Sequence, residues 1–110
     1  MDGMNRGEVY WVRFDLAEGG EIKKTRPAII VSNNISNSFL NRVQVVPVTS
    51  NTNKIYPGES LFLLNDKTGK ALCNQIRTIS KKRLGKRIGE LSNKDMFTLD
   101  TAIKLQLGLQ

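Results

Sequence analysis

The spacing of apolar residues changes character along the chain: short runs between turn signals first, a helical period at the end. Glu8-Val9-Tyr10-Trp11-Val12-Arg13-Phe14, rich in β-branched and aromatic residues, predicts a strand. Pro27 to Ser32 predicts a second, with proline only at its start, where a missing N–H does little harm. Arg42 to Thr49 predicts a third, and Pro47 marks its far end as an edge or bulge that takes Thr49 and Ser50 out of regular pairing. After the turn signal Tyr56-Pro57-Gly58, Leu61 to Leu64 forms a fourth. Asn65-Asp66-Lys67-Thr68-Gly69 reads as a hairpin turn into a fifth strand from Lys70 to Ile79, and Ser80 to Leu84 as a short helical turn. Met96, Leu99, Ile103 and Leu107 then recur at helical spacing between a start signal, Ser92 with Asp95, and a stop signal, Gly108. The pattern predicts a mainly β, α+β fold: about five strands in a small barrel or curved sheet, with one C-terminal helix.

Length adds to this picture. The 110 residues suit a single domain, 1–110, and at this size association with a second subunit is a natural supplement to a modest core. No apolar run approaches the roughly 20 residues that cross a bilayer. The opening residues Met1 to Gly7 lack the apolar stretch of a secretory signal. Cys73 is the sole cysteine, which excludes an internal disulfide and a thiolate zinc cluster, so a cytoplasmic location without a membrane is expected. The connection from Leu16 to Thr25 is long for a small domain, as functional loops often are.

Charge points toward phosphate. The net charge is +7, and no acidic residue falls between Glu21 and Glu59, where Lys23, Lys24, Arg26, Arg42 and Lys54 lie. A second acid-free stretch holds Arg77, Lys81, Lys82, Arg83, Lys86 and Arg87. Two such stretches meeting on one surface would make a footprint for a nucleic-acid backbone; the alternative is a solvated face that keeps the protein soluble.

The chemistry is bounded by absences. With no histidine, the usual acid–base residue near neutral pH is missing. The ten acidic residues are scattered, without a two-metal or glycosidase pairing, and no glycine-rich loop precedes a helix. Neither a metal nor another cofactor is therefore expected. RNA cleavage tolerates this toolkit, because the 2′-hydroxyl is a nucleophile already held beside the scissile phosphate. A guanidinium can stabilise charge on the phosphoryl oxygens through its planar fork, although it is a poor general base.

Four blocks spread over the chain resemble the MazF/PemK-type toxins, in that family's order. They are Arg6-Gly7-Glu8-Val9-Tyr10-Trp11, Lys24-Thr25-Arg26-Pro27 continuing to Asn33, Val46-Pro47-Val48-Thr49-Ser50, and Asn74-Gln75-Ile76-Arg77-Thr78-Ile79 followed by Lys82-Arg83-Leu84. The resemblance implies an SH3-like β-barrel, a homodimer, and metal-independent cleavage of single-stranded RNA at short sequences. The implied products are a cyclic phosphate and a 5′-hydroxyl, and the implied regulator is a cognate antitoxin. The basic surface suits an antitoxin with an acidic, partly disordered segment. Many relatives carry an acidic residue where Asn74 stands, so target preference is the property this departure touches.

By the resemblance Arg26 is the catalytic arginine and Thr49 its partner on the phosphate or the 2′-hydroxyl, with Ser50 assisting. Their structural alternatives are an arginine paired with Glu21 or another acid and a threonine satisfying a turn. If the fifth strand alternates regularly, Gln75 and Arg77 share one face, to read a base and hold a phosphate, while Asn74 and Thr78 share the other. An ion pair is the competing role for Arg77. Lys23 and Lys24 can steer RNA or simply be solvated. Trp11 and Phe14 invite base stacking, against which packing in a core or dimer interface is the stronger expectation. Cys73 reads as a small core residue. Two other functions fit the same architecture: a CcdB-type toxin, which binds DNA gyrase without catalysis, and a non-catalytic nucleic-acid-binding barrel.

Overall fold

The computed structural model describes residues 4–14 and 24–110. Seven strands, β1 (Glu8–Phe14), β2 (Lys24–Ile30), β3 (Arg42–Thr49), β4 (Glu59–Leu64), β5 (Lys67–Leu72), β6 (Arg77–Ser80) and β7 (Leu84–Glu90), accompany helices α1 (Asn34–Phe39) and α2 (Asn93–Leu107). Single 3-10 turns occupy Cys73–Gln75 and Lys81–Arg83. The antiparallel strand order is β4-β5-β3-β2-β1-β7, with β6 also on β3.

The first and third expected strands have the expected limits, and α2 begins and ends on its signals. The Ser92 hydroxyl accepts the N–H of Asp95 at 3.1 Å, and Gly108 closes the helix at φ 71°. The expected fifth strand is broken instead. β5 stops at Leu72, the chain makes its 3-10 turn, and β6 resumes at Arg77.

Pro47 explains where the break falls. Gln44 turns its N–H and C=O toward the β2 side, to Ser32 Oγ and Val31 N. Alternation therefore turns the nitrogen of Pro47 to the other side, where the chain leaves between β5 and β6. Having no N–H there, Pro47 leaves none unpaired. It does not release Thr49, however, which stays in register opposite Lys70.

The hairpin turn is also tighter than expected. Leu64 pairs with Lys67, so the turn is Asn65-Asp66 alone, both left-handed at φ 52° and 64°. That is the two-residue turn whose twist matches the strands. Neither α1 nor β7 appears in the apolar pattern; α1 is a short helix, capped by Asn33 through the N–H of Ser36 at 2.8 Å.

The central strands β1, β2 and β3 bury side chains on both faces. Val9 packs with Ile29, Val46, Phe62, Ala71 and Leu99 under α2. Tyr10, Val12 and Phe14 turn the opposite way, onto Ala28, Ile30, Val45 and Ile79. The edge strands β4 and β7 do not share a ladder, but the sheet curls until they touch. The Asn65 Nδ2 donates to the Ile88 carbonyl at 3.4 Å, and a Cβ on Gly89 would stand 3.0 Å from Leu64. The result is a barrel-like sheet left open.

Candidate active site

The opening in the sheet is built by β3, which serves two partners. It pairs with β2 from Ala28↔Pro47 to Ile30↔Val45, then bends away to pair with β5 through Val48 and Thr49. β2 meanwhile stays with β1 as far as Lys24. Had the β2–β3 register continued, Pro27 would face Val48 and Arg26 would face Thr49. Instead the strands part there, and all four residues line one cleft of about 490 Å³. Its floor is apolar, and its described lining includes the cations Arg26 and Lys67 but no carboxylate.

Arg26, Thr49 and Ser50 therefore share one site. Arg26 is exposed, and its side chain has neither an ion pair nor a hydrogen bond among the described residues. Glu21, the acid considered as its partner, lies outside those residues. The Thr49 Oγ1 accepts the N–H of Asn51 at 3.2 Å. One acceptor position of the hydroxyl is thus filled, while its proton remains able to donate into the cleft. The arrangement puts a fork of guanidinium donors and a hydroxyl, both able to bind an anion, in the lining of one cleft.

The remaining candidates stand elsewhere. Asn74 and Gln75 lie in the 3-10 turn, so the alternation expected for them on a continuous strand does not apply; Asn74 is exposed and Gln75 half-buried. Arg77 on β6 stands over the ring of Phe14, 5.3 Å from its centre. That ring is fully buried, which removes Phe14 as a stacking platform. Lys24 is exposed at the start of β2 with φ 68°. Lys23 and most of the long loop, residues 15–23, lie outside the described residues.

Much of the second basic stretch is engaged in tethers. Arg87 binds Glu8 at 3.1 Å and Glu90 at 3.3 Å, Arg83 donates to the Arg13 carbonyl at 3.2 Å, and Lys81 donates to that of Asn37.

The core, one of the two places expected for Trp11, does not cover it. Alternation turns it toward the same side as Val9, but it lies beyond the cluster that α2 covers; it is 42% exposed and lines the cleft. Asn65, Lys67 and Thr68 also line it and were not singled out by sequence, where they read only as turn formers. The curl that carries the hairpin to β7 places them there.

Titration supports a site without a cysteine nucleophile. Burial pushes the Cys73 thiol up to about 11, with Glu59 adding to the effect, so it is protonated near neutral pH. Burial also raises Glu8, but hydrogen bonds from the Asn5 N–H, Tyr10 and Arg87 outweigh it and hold the carboxyl below its ordinary value. Among the described residues no three His, Cys, Asp or Glu side chains stand close enough to hold a metal ion.

Known proteins resemble the chain over nearly its whole length. The family model described as PemK-like, MazF-like toxin of type II toxin–antitoxin system matches residues 5–107. The endoribonuclease MazF9 of Mycobacterium tuberculosis is 42% identical, covering 96% of this chain and 98% of its own. The endoribonuclease MazF of Staphylococcus saprophyticus is 34% identical over 96% and 92%. A mycobacterial endoribonuclease solved in complex with its cognate antitoxin superposes with a TM-score of 0.80 at 33% identity, covering 96% of each chain. With the fold shared and the match nearly end to end, the chain belongs to the PemK-like, MazF-like toxins of type II toxin–antitoxin systems.

Proposed function

We propose that this single-domain chain is a metal-independent endoribonuclease toxin that cuts single-stranded RNA at short sequences. The observation that carries the reading is that Arg26 and Thr49 line one cleft whose described lining bears no carboxylate. A scissile phosphate drawn to that mouth meets both the guanidinium and the hydroxyl. Arg26 stabilises the charge that builds on the phosphoryl oxygens, and Thr49, assisted by Ser50, orients the phosphate. The substrate's 2′-oxygen attacks phosphorus in line with the departing 5′-oxygen, leaving a 2′,3′-cyclic phosphate and a 5′-hydroxyl. Asn74, Gln75, Arg77 and Lys24 are assigned to the flanking strand rather than to the scissile phosphate, since none lines the cleft.

The family and the mycobacterial complex support a cognate antitoxin as regulator, with an acidic segment competing for the same basic mouth. A cytoplasmic homodimer completes the reading; Ile35 and Phe39 on α1, 74% and 83% exposed, are apolar surface that a second copy would cover. Purified protein should cleave a long single-stranded RNA in EDTA, giving fragments with cyclic phosphate and 5′-hydroxyl ends. Intact RNA across many sequences would remove the enzyme.

A further inference from the structure

We infer that Lys70, paired with Glu59, is a positioning residue: the pair clasps the segment joining β3 to β4 and so holds Thr49 and Ser50 at the cleft. The inference rests on the nuclease reading and adds to it two residues outside the described lining of the cleft.

Lys70 lies on β5, between β3 and β4, and is only 8% exposed. An ammonium so placed is costly unless its donors find partners. Its Nζ donates to the Lys54 carbonyl at 2.8 Å, lies 3.1 Å from Glu59 Oε1, and stands 5.9 Å from the centre of the Tyr56 ring. The same Glu59 oxygen accepts the Tyr56 N–H at 2.8 Å, and the Glu59 N–H returns to the Tyr56 carbonyl at 3.0 Å. One ammonium and one carboxylate thus tie the chain down at Lys54 and Tyr56, midway along residues 50–58.

That segment has few other anchors. Among the described residues, 50–55 make no backbone–backbone hydrogen bond outside the strand ladders, and all but Thr52 are exposed. The Asn51 N–H donates to Thr49 Oγ1 and the Asn53 N–H to Asn51 Oδ1, both at 3.2 Å, bonds that link the segment only to itself and to Thr49. The set of the Thr49 hydroxyl follows Asn51, and Asn51 follows the anchor three residues on. Lys70 also stands directly opposite Thr49 in the β3–β5 ladder, so their side chains share a face of the sheet. The clasp begins beside Thr49 and ends on the segment leading away from it.

A buried ion pair is a poor means of gaining stability, because apolar residues of similar volume commonly replace one without loss. What this pair supplies is a fixed path for the chain next to a phosphate-binding hydroxyl.

The test removes both charges together. Lys70→Met with Glu59→Gln keeps the long apolar stem and an oxygen for the Tyr56 N–H. Trypsin should then cut native protein after Lys54 about fivefold faster or more, while the melting temperature holds or rises. In single-turnover cleavage of a short RNA, kcat should fall about 3- to 30-fold and the half-saturating concentration change by less than about twofold. In a Thr49→Ala, Ser50→Ala background the same two substitutions should cost less than about twofold, whereas a general loosening of the fold would cost as much as before. Should the charge-free variant melt early, Glu59→Gln alone should show the loss and Lys70→Arg should stay within about twofold of the wild type.

If the wild type cuts RNA and the charge-free variant, or Glu59→Gln in its place, matches it, the clasp positions nothing and the nuclease stands. An unchanged tryptic rate, or a loss that survives in the alanine background, overturns the inference in the same way. If the wild type cuts nothing, the nuclease reading fails and the positioning role falls with it, whatever trypsin shows.

Discussion

If Arg26 and Thr49 grip one phosphate, removing them singly and together has a calculable signature. The guanidinium can give that phosphate a bidentate pair of charge-assisted bonds, each worth roughly 1.5–3 kcal/mol. Arg26→Ala should therefore cost about 3–6 kcal/mol of transition-state stabilisation, on the order of 10²- to 10⁴-fold in kcat. Thr49 can give one hydroxyl bond to a charged oxygen, so Thr49→Ala should cost about 10- to 100-fold. Neither loss should reach the fold through Arg26, which is exposed and makes no side-chain bond among the described residues. Its removal should change stability by no more than about 0.5 kcal/mol.

The double variant is the sharper measurement. Once one of the two groups is gone the phosphate is free to shift, and the second then contributes less. The double loss should fall short of the sum of the single losses by about 0.5–3 kcal/mol. Single-turnover cleavage of a short RNA, read on gels at saturating enzyme, gives all four rates, and thermal melts confirm the fold. Free energies that add within about 0.5 kcal/mol would refute a shared phosphate. Full activity in Arg26→Ala would refute its role outright.

Three further outcomes follow from the packing and the titrating groups. Glu8 titrates below its ordinary 4.5 in the folded chain, so its contribution is present above that value and lost as pH falls through the folded one. The melting temperature should drop on acidification below that range, and Glu8→Gln should flatten the drop. Cys73 behaves in the opposite sense. The folded thiol holds its proton to about 11 against 9.0 ordinarily, so stability should decline between those values by roughly 3 kcal/mol, and Cys73→Ala should reduce that alkaline slope in chemical denaturation. Gly69→Ala drives a methyl to 2.5 Å from the Phe62 ring and should destabilise by about 1–3 kcal/mol; Phe62→Leu in the same chain should recover part of the loss in the same assay.

The strands with local signatures, β1 and β3, and the whole of α2 were legible in the sequence because alternation, turn residues and caps act within a few residues of one another. The chemistry was bounded in the same way: a chain without histidine and with scattered acids leaves few means of catalysis, and Arg26 and Thr49 stood out through the blocks around them. What the sequence could not show is why those two residues meet, since one lies on β2 and the other on β3. Their meeting depends on the register Ala28↔Pro47 and on β3 leaving β2 for β5 just beyond it. The break between β5 and β6 escaped the apolar pattern because residues 70–79 remain plausible strand throughout, and only the shared partner β3, with Pro47 opposite the excursion, divides them. Trp11 and Asn65 carry the same lesson. Period-two alternation says which side of a strand a residue faces, but whether that side is covered depends on where α2 ends and how far the sheet curls. Those are long-range outcomes of packing, and they decided the site.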